Sequence, residues 1–153
     1  MKLTELLKPE AINPSLSATG KNEVLAELTD ALLRVEPGLN RDEVVEVLKE
    51  RESLGSTGIG DGVAIPHGKL KQLDRLLLSF GRSRSGVDFD SMDGQPAHLF
   101  FLLVAPEESV GVHLKTLARI SKLLKNADVR QALIDAESAE DIFAIIQQRE
   151  EAL

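Results

Sequence analysis

Between His98 and Pro106 the chain reads H-L-F-F-L-L-V-A-P, and Leu99 to Ala105 is its longest purely apolar run. A half-exposed strand would alternate apolar and polar residues; an unbroken run from Leu99 to Val104, closed by Ala105-Pro106, predicts a strand covered on both faces. The run is far below the roughly 20 residues that cross a bilayer. With five Phe and neither Trp nor Tyr, the layers that cover it must be mostly aliphatic.

Those layers can be found by periodicity. Residues 4–8 suggest a short helix capped by Thr4 and stopped by Pro9, and 11–20 read as extended or irregular. From Lys21 to about Glu36 the apolar positions Val24, Leu25, Leu28, Leu32 and Val35 have helical spacing, and Pro37-Gly38 ends the segment. Asn40 with Glu43 resembles a capping box, opening a helix that runs to about Glu52. Val63 to Ile65 reads as a very short strand, Lys69 to Arg75 as a polar connection and Leu76 to Gly81 as a buried strand. Arg82 to Gly94 is expected to be a loop with Val87 and Phe89 turned inward. A helix from about Val112 to Lys125 carries a stripe of Leu114, Leu117, Ile120, Leu123 and Leu124; two more follow, at Asp128 to about Ala136 and from Ser138 onward. Helices flanking short buried strands in mixed order predict a single α/β (α+β mixed) domain over 1–153, a small mixed sheet with helices against it.

Composition narrows the function. The 25 acidic and 18 basic residues give a net charge of -7, which argues against a general nucleic-acid binder. Without cysteine there is no disulfide framework, thiol nucleophile or thiolate metal site. The first ten residues lack the apolar centre of a signal peptide, so a cytoplasmic location is expected.

The chemistry concentrates in Arg51 to Lys69, R-E-S-L-G-S-T-G-I-G-D-G-V-A-I-P-H-G-K, where Gly55, Gly58, Gly60 and Gly62 fall within eight positions. Such a cluster marks a loop with unusual backbone angles. It is not a nucleotide loop: Asp61-Gly62 stands where a P-loop needs Lys and Ser or Thr, and Val63 where the dinucleotide pattern needs its third glycine. The three histidines, His67, His98 and His113, have no metal-ligand spacing, so neither metal nor cofactor is expected. His98 reads as a satisfied structural residue. His67 follows a short strand and His113 falls in the first turn of a helix, whose free N–H groups favour an anion. Together with Arg51 they suit a phosphoryl group, because a neutral imidazole is a nucleophile near its ordinary pKa of about 6.5. Ser56, Thr57 and the amides around Gly58 and Gly60 are candidate donors. On the residues alone, Arg51 reads equally as a phosphate ligand or as a cation at a helix C-terminus.

The stretch R51-E-S-L-G-S-T-G-I-G-D-G-V-A-I-P-H67-G-K69, with H113-L-K-T-L after the apolar strand, resembles the signature of the IIA domains of the bacterial phosphotransferase system, fructose–mannitol class. The likeness covers essentially the whole chain, and within the class the motifs are most similar to the nitrogen-regulatory IIA proteins, which stand alone, so a chain without a fused transport domain is expected. The resemblance implies that His67 accepts a phosphoryl group, at its Nε2 (tele) nitrogen, from an HPr-like phosphocarrier; the residues themselves leave the choice of nitrogen open. It implies that His113 and Arg51 bind and orient that group. It further implies a role that is mainly regulatory, with the phosphorylation state read by partners such as a potassium transporter or a sensor kinase. The alternative is a fructose or mannitol component that passes the group to a IIB domain.

Overall fold

The computed structural model describes residues 2–153. Its elements run α1 (Leu3–Leu6), β1 (Leu7–Asn13), α2 (Lys21–Leu33), α3 (Arg41–Ser53), β2 (Gly58–Gly60), β3 (Val63–Ala64), β4 (His67–Leu70), β5 (Leu77–Val87), β6 (Ala97–Pro106), α4 (Val110–Leu124), α5 (Ala127–Asp135) and α6 (Ala139–Glu150). The six strands form one mixed sheet in the order β1-β5-β6-β3-β2, with β4 also on β6. The α/β class expected from the sequence is the class observed.

The apolar run is the centre strand, and it is covered on both faces. Along β6, Leu99, Phe101, Leu103 and Ala105 enter one core with Ile120, Leu123, Leu133, Ile142 and Ile146 of α4, α5 and α6. The alternate residues Phe100, Leu102 and Val104 enter a second core with Val24, Leu28 and Leu32 of α2 and Val44 and Leu48 of α3. Each core has one edge-to-face phenylalanine pair on β6: Phe80–Phe101, with centroids 4.9 Å apart, and Phe89–Phe100, at 5.5 Å.

Several boundaries differ from expectation, each for a long-range reason. The first helix spans only Leu3–Leu6, and its orphan amides are capped not by Thr4 but by Glu150, which accepts from Leu3 N at 2.7 Å and from Thr4 N at 3.0 Å. Residues 7–13 then form β1, Pro9 included; β1 ends the strand order, where a missing N–H is tolerated. β5 continues past Gly81 to Val87 rather than dissolving into a loop. The buried Arg82 permits this by donating to Pro14 O, Leu133 O and Ala136 O. Val87 and Phe89 are buried as expected. Leu114, placed by its spacing on the buried stripe of α4, is 60% exposed.

The edge of β6 positions the site. β3 lies parallel to Leu99 and Phe100, the chain breaks step at Ile65-Pro66, and β4 resumes in unchanged register with His67 opposite Leu103 and Lys69 opposite Ala105. His67 therefore opens a strand instead of hanging from the end of one, and Lys69 belongs to that strand rather than to a connection. Leu103 N donates to Pro66 O across the break.

Candidate functional site

Two helices, one from each layer, converge at β4. Its pleat sends Gly68 and Leu70 toward α3 and His67 and Lys69 toward the layer of α4. A Cβ on Gly68 would lie 2.7 Å from Val47 Cγ1, so α3 packs against β4 more closely than any larger residue permits. That approach carries Arg51, in the last turn of α3, alongside His67. From the other layer, the first turn of α4 supplies His113. Its imidazole sits 5.4 Å from that of His67 with the rings at 83°. Arg51, His67, Lys69 and His113 line one cavity of about 430 Å³, with Val47, Leu54, Val110 and Leu114 as an apolar rim. Leu54, Val110 and Leu114 are exposed.

The protonation pattern follows from the surroundings. His67 Nδ1 is 2.8 Å from Ile65 O, a group that only accepts, so this nitrogen carries the proton and Nε2 keeps its lone pair. Burial lowers the pKa of His67 and the Arg51 charge lowers it further; the Ile65 bond and Glu52 pull the other way without reversing the direction. His113 is only 5% exposed. Burial, then the neighbouring charges of His67 and Lys69, push its pKa down to about 4. Its Nδ1 is buried without a hydrogen-bond partner. Both rings are neutral at pH 7.

Arg51 also donates from an Nη to Gly55 O at 2.9 Å, across the C-terminal end of α3. Its two sequence readings are therefore compatible in the structure: one guanidinium edge closes the helix while the side chain lines the cavity.

The glycine loop lies elsewhere. Ser56 Oγ donates to Phe89 O at 2.8 Å and accepts from Gly58 N at 3.0 Å. Thr57 gives both its amide and its hydroxyl to the Glu52 carboxylate. Gly58 and Gly60 form β2, which turns back into β3 through Asp61 and Gly62, both at positive φ. None of these four residues lines the cavity. They anchor the hairpin that feeds β4, and Lys21 fastens Glu52 at 3.1 Å and Asp90 at 3.4 Å. His98 is held by Ser83 O at 2.8 Å, apart from the cavity. Sequence reasoning missed Lys69, Glu52 and Lys21. Only Lys69 left a signal, its two-residue offset from His67 on a strand.

Residues 5–149 match the family model described as "Phosphoenolpyruvate-dependent sugar phosphotransferase system, EIIA 2". A nitrogen regulatory protein of Bradyrhizobium diazoefficiens is 44% identical over 146 residues, 95% of either chain. The fructose-specific EIIABC component of Bacillus subtilis is 41% identical over 150 residues, which are 98% of this chain but 24% of that protein. The crystal structure of the nitrogen regulatory protein IIA-Ntr from Neisseria meningitidis superposes with a TM-score of 0.88 at 36% identity, covering 94% of this chain and 98% of that one. The mannitol IIA structure from Escherichia coli, 22% identical over 91% of this chain and 97% of its own, superposes with a TM-score of 0.76 and shares the fold.

Proposed function

The chain belongs to the type-2 EIIA family of the phosphoenolpyruvate-dependent sugar phosphotransferase system, and from that premise we propose that it is a nitrogen-regulatory IIA protein phosphorylated on Nε2 of His67. One observation carries the reading: in a cavity shared with Arg51 and His113, the burial-lowered His67 ring gives its Nδ1 proton to Ile65 O and leaves Nε2 as the free nucleophile.

The donor is the phosphohistidine of an HPr-like carrier. Nε2 of His67 attacks phosphorus in line, a new N–P bond forms, and the carrier's N–P bond breaks with its electron pair returning to the carrier imidazole. Ile65 O holds the Nδ1 proton throughout and supports the positive charge that the His67 ring acquires. Arg51 faces the equatorial oxygens with its planar fork. A buried orphan acceptor costs less than a buried orphan donor, so His113 keeps its proton on Nε2 and donates it to a phosphoryl oxygen. The exposed Leu54, Val110 and Leu114 around the cavity give a protein donor an apolar landing surface.

The nitrogen-regulatory assignment is supported by the 44% identity to one such protein over nearly its full length and by the 0.88 superposition on another. In this role the phosphoryl group, adding about -1.5 to -2 charges, alters which regulated partner fits the same face; a potassium transporter or a sensor kinase is the expected kind of partner. The 41% identity to a fructose-specific protein favours a second reading, in which the group passes on to a sugar-specific IIB domain. The test is labelling by enzyme I and a phosphocarrier of the host. Wild type should gain an acid-labile phosphate and His67→Ala none while keeping its circular dichroism spectrum; label on His67→Ala would refute the acceptor. Rapid discharge onto a fructose or mannitol IIB domain would select the second reading.

A further inference from the structure

We propose that Lys69 is the second counter-charge for the phosphoryl group of His67, acting from β4 together with Arg51 and setting how far phosphorylation proceeds. The proposal rests on the His67 reading above and extends it to a residue outside the sequence-derived candidates.

Three observations place Lys69 there. It lies two positions after His67 on the same strand, paired to Ala105 as His67 is paired to Leu103, so both side chains leave the same face of the sheet. It lines the cavity together with Arg51, His67 and His113. Its charge is felt inside the cavity, where it helps keep the His113 ring neutral. Among the described residues no carboxylate forms an ion pair with Lys69, so its charge is available to an anion in the cavity.

Charge balance gives the residue a task. A phosphoryl group on Nε2 carries about -1.5 to -2, Arg51 supplies one positive charge, and a neutral His113 supplies a hydrogen bond but no charge. Glu50, also on the lining, adds a negative charge, so Arg51 alone falls short; the flexible ammonium of Lys69 brings the site toward balance without demanding the fixed geometry of a guanidinium. Before phosphorylation Arg51 and Lys69 outweigh Glu50, the one carboxylate on the lining, and the incoming anion offsets that net positive charge. Both effects favour the phosphorylated state over the free one.

The experiment measures the equilibrium of reversible phosphoryl exchange between the carrier and wild type, Lys69→Met and Lys69→Arg. Inorganic phosphate is titrated in parallel into the unphosphorylated proteins, with the imidazole resonances of His67 and His113 followed by NMR. Lys69→Met should shift the exchange equilibrium toward the carrier by about 3- to 10-fold at low salt, the scale of one partly solvated charge pair. The shift should shrink as salt shortens the screening length, and Lys69→Arg should restore most of it. Phosphate affinity should fall in the same order, and the His113 pKa should rise in Lys69→Met. An exchange equilibrium within 2-fold of wild type for Lys69→Met overturns the proposal while leaving His67 as acceptor. If wild type takes no phosphoryl group from any host carrier, the transfer reading fails and the proposal with it, an outcome distinct from normal labelling of His67 with an unshifted equilibrium in Lys69→Met, which overturns the proposal alone.

Discussion

Gly68→Ala is the sharpest available test of how the two layers meet at His67. The added methyl would lie 2.7 Å from Val47 Cγ1 and 3.7 Å from Leu48 Cδ2. Ordinary carbon contacts lie at about 3.5–4.0 Å, so one side must yield by about 1 Å. Val47 is β-branched and inside a helix, where its χ1 has little freedom, so the displacement falls on the backbones of α3 and β4. Overpacking of this kind costs about 1–3 kcal/mol, which lowers the melting temperature of a chain this size by about 2–12 °C. Transfer should suffer more than stability. Arg51 follows Val47 by four residues on the same face of α3, and His67 adjoins Gly68, so both shift in opposite senses. A displacement of about 1 Å at a reacting centre costs up to roughly 100-fold in rate. The assay pairs thermal denaturation with the rate of labelling by the carrier, for Gly68→Ala, Val47→Ala and the double variant. Val47→Ala removes the blocking methyl, so the double variant should regain most of the rate. Wild-type transfer by Gly68→Ala, or a double variant as slow as the single one, would refute close packing as the reason for glycine.

Three further outcomes follow from buried ionisable groups. The folded pKa of His113 is about 4, below that of an unfolded histidine, so the unfolded chain takes up protons first; stability from this group is complete above about pH 6.5 and lost as pH falls toward 4. Denaturant midpoints should fall across that window in wild type and less steeply in His113→Gln. The labelling rate should not fall as pH crosses 6.5, where an ordinary histidine would lose its nucleophile, because the His67 pKa is lowered. Glu150 accepts from Leu3 N, Thr4 N, Thr4 Oγ1 and Arg119 Nε. Burial would raise its pKa, but those donors prevail and lower it, so its contribution is present above the ordinary carboxylate pKa and lost as pH falls through the lowered one. Glu150→Gln should cost about 2–4 kcal/mol in chemical denaturation with labelling unaffected.

Local signals in the sequence were read correctly where the decisive partner is local. Asn40 caps α3 by accepting from Glu43 N, as its spacing indicated, and Ser138, the expected start of the last helix, caps α6 by accepting from Asp141 N. The apolar run at Leu99 identified the strand with two covered faces, and Arg51, His67 and His113 do meet in one cavity. What escaped depends on distant residues. Arg82 and Ser83 look like loop residues until the carbonyls of α5 and its C-terminal end are in place to receive the guanidinium. Ser56 reads as a free donor until Phe89 O arrives from 33 positions away. Asp61-Gly62 is different: a two-residue hairpin signal in plain view, masked by the surrounding glycines.

The break at Ile65-Pro66 leaves His67 on a strand bonded on one side only, to β6, between a helix of one core and a helix of the other. The cavity thus works as a coincidence detector for folding. Arg51 is delivered by the layer of α2 and α3, His113 by the layer of α4 to α6, and neither layer can assemble the constellation alone. A disturbance that loosens either core, by heat, mutation or a partner prying at one helix, moves Arg51 or His113 away from His67 before the sheet itself gives way. Phosphoryl uptake should therefore fail earlier on a denaturation series than bulk secondary structure. A regulator bound anywhere along α3 or α4 has a lever on the chemistry without touching it.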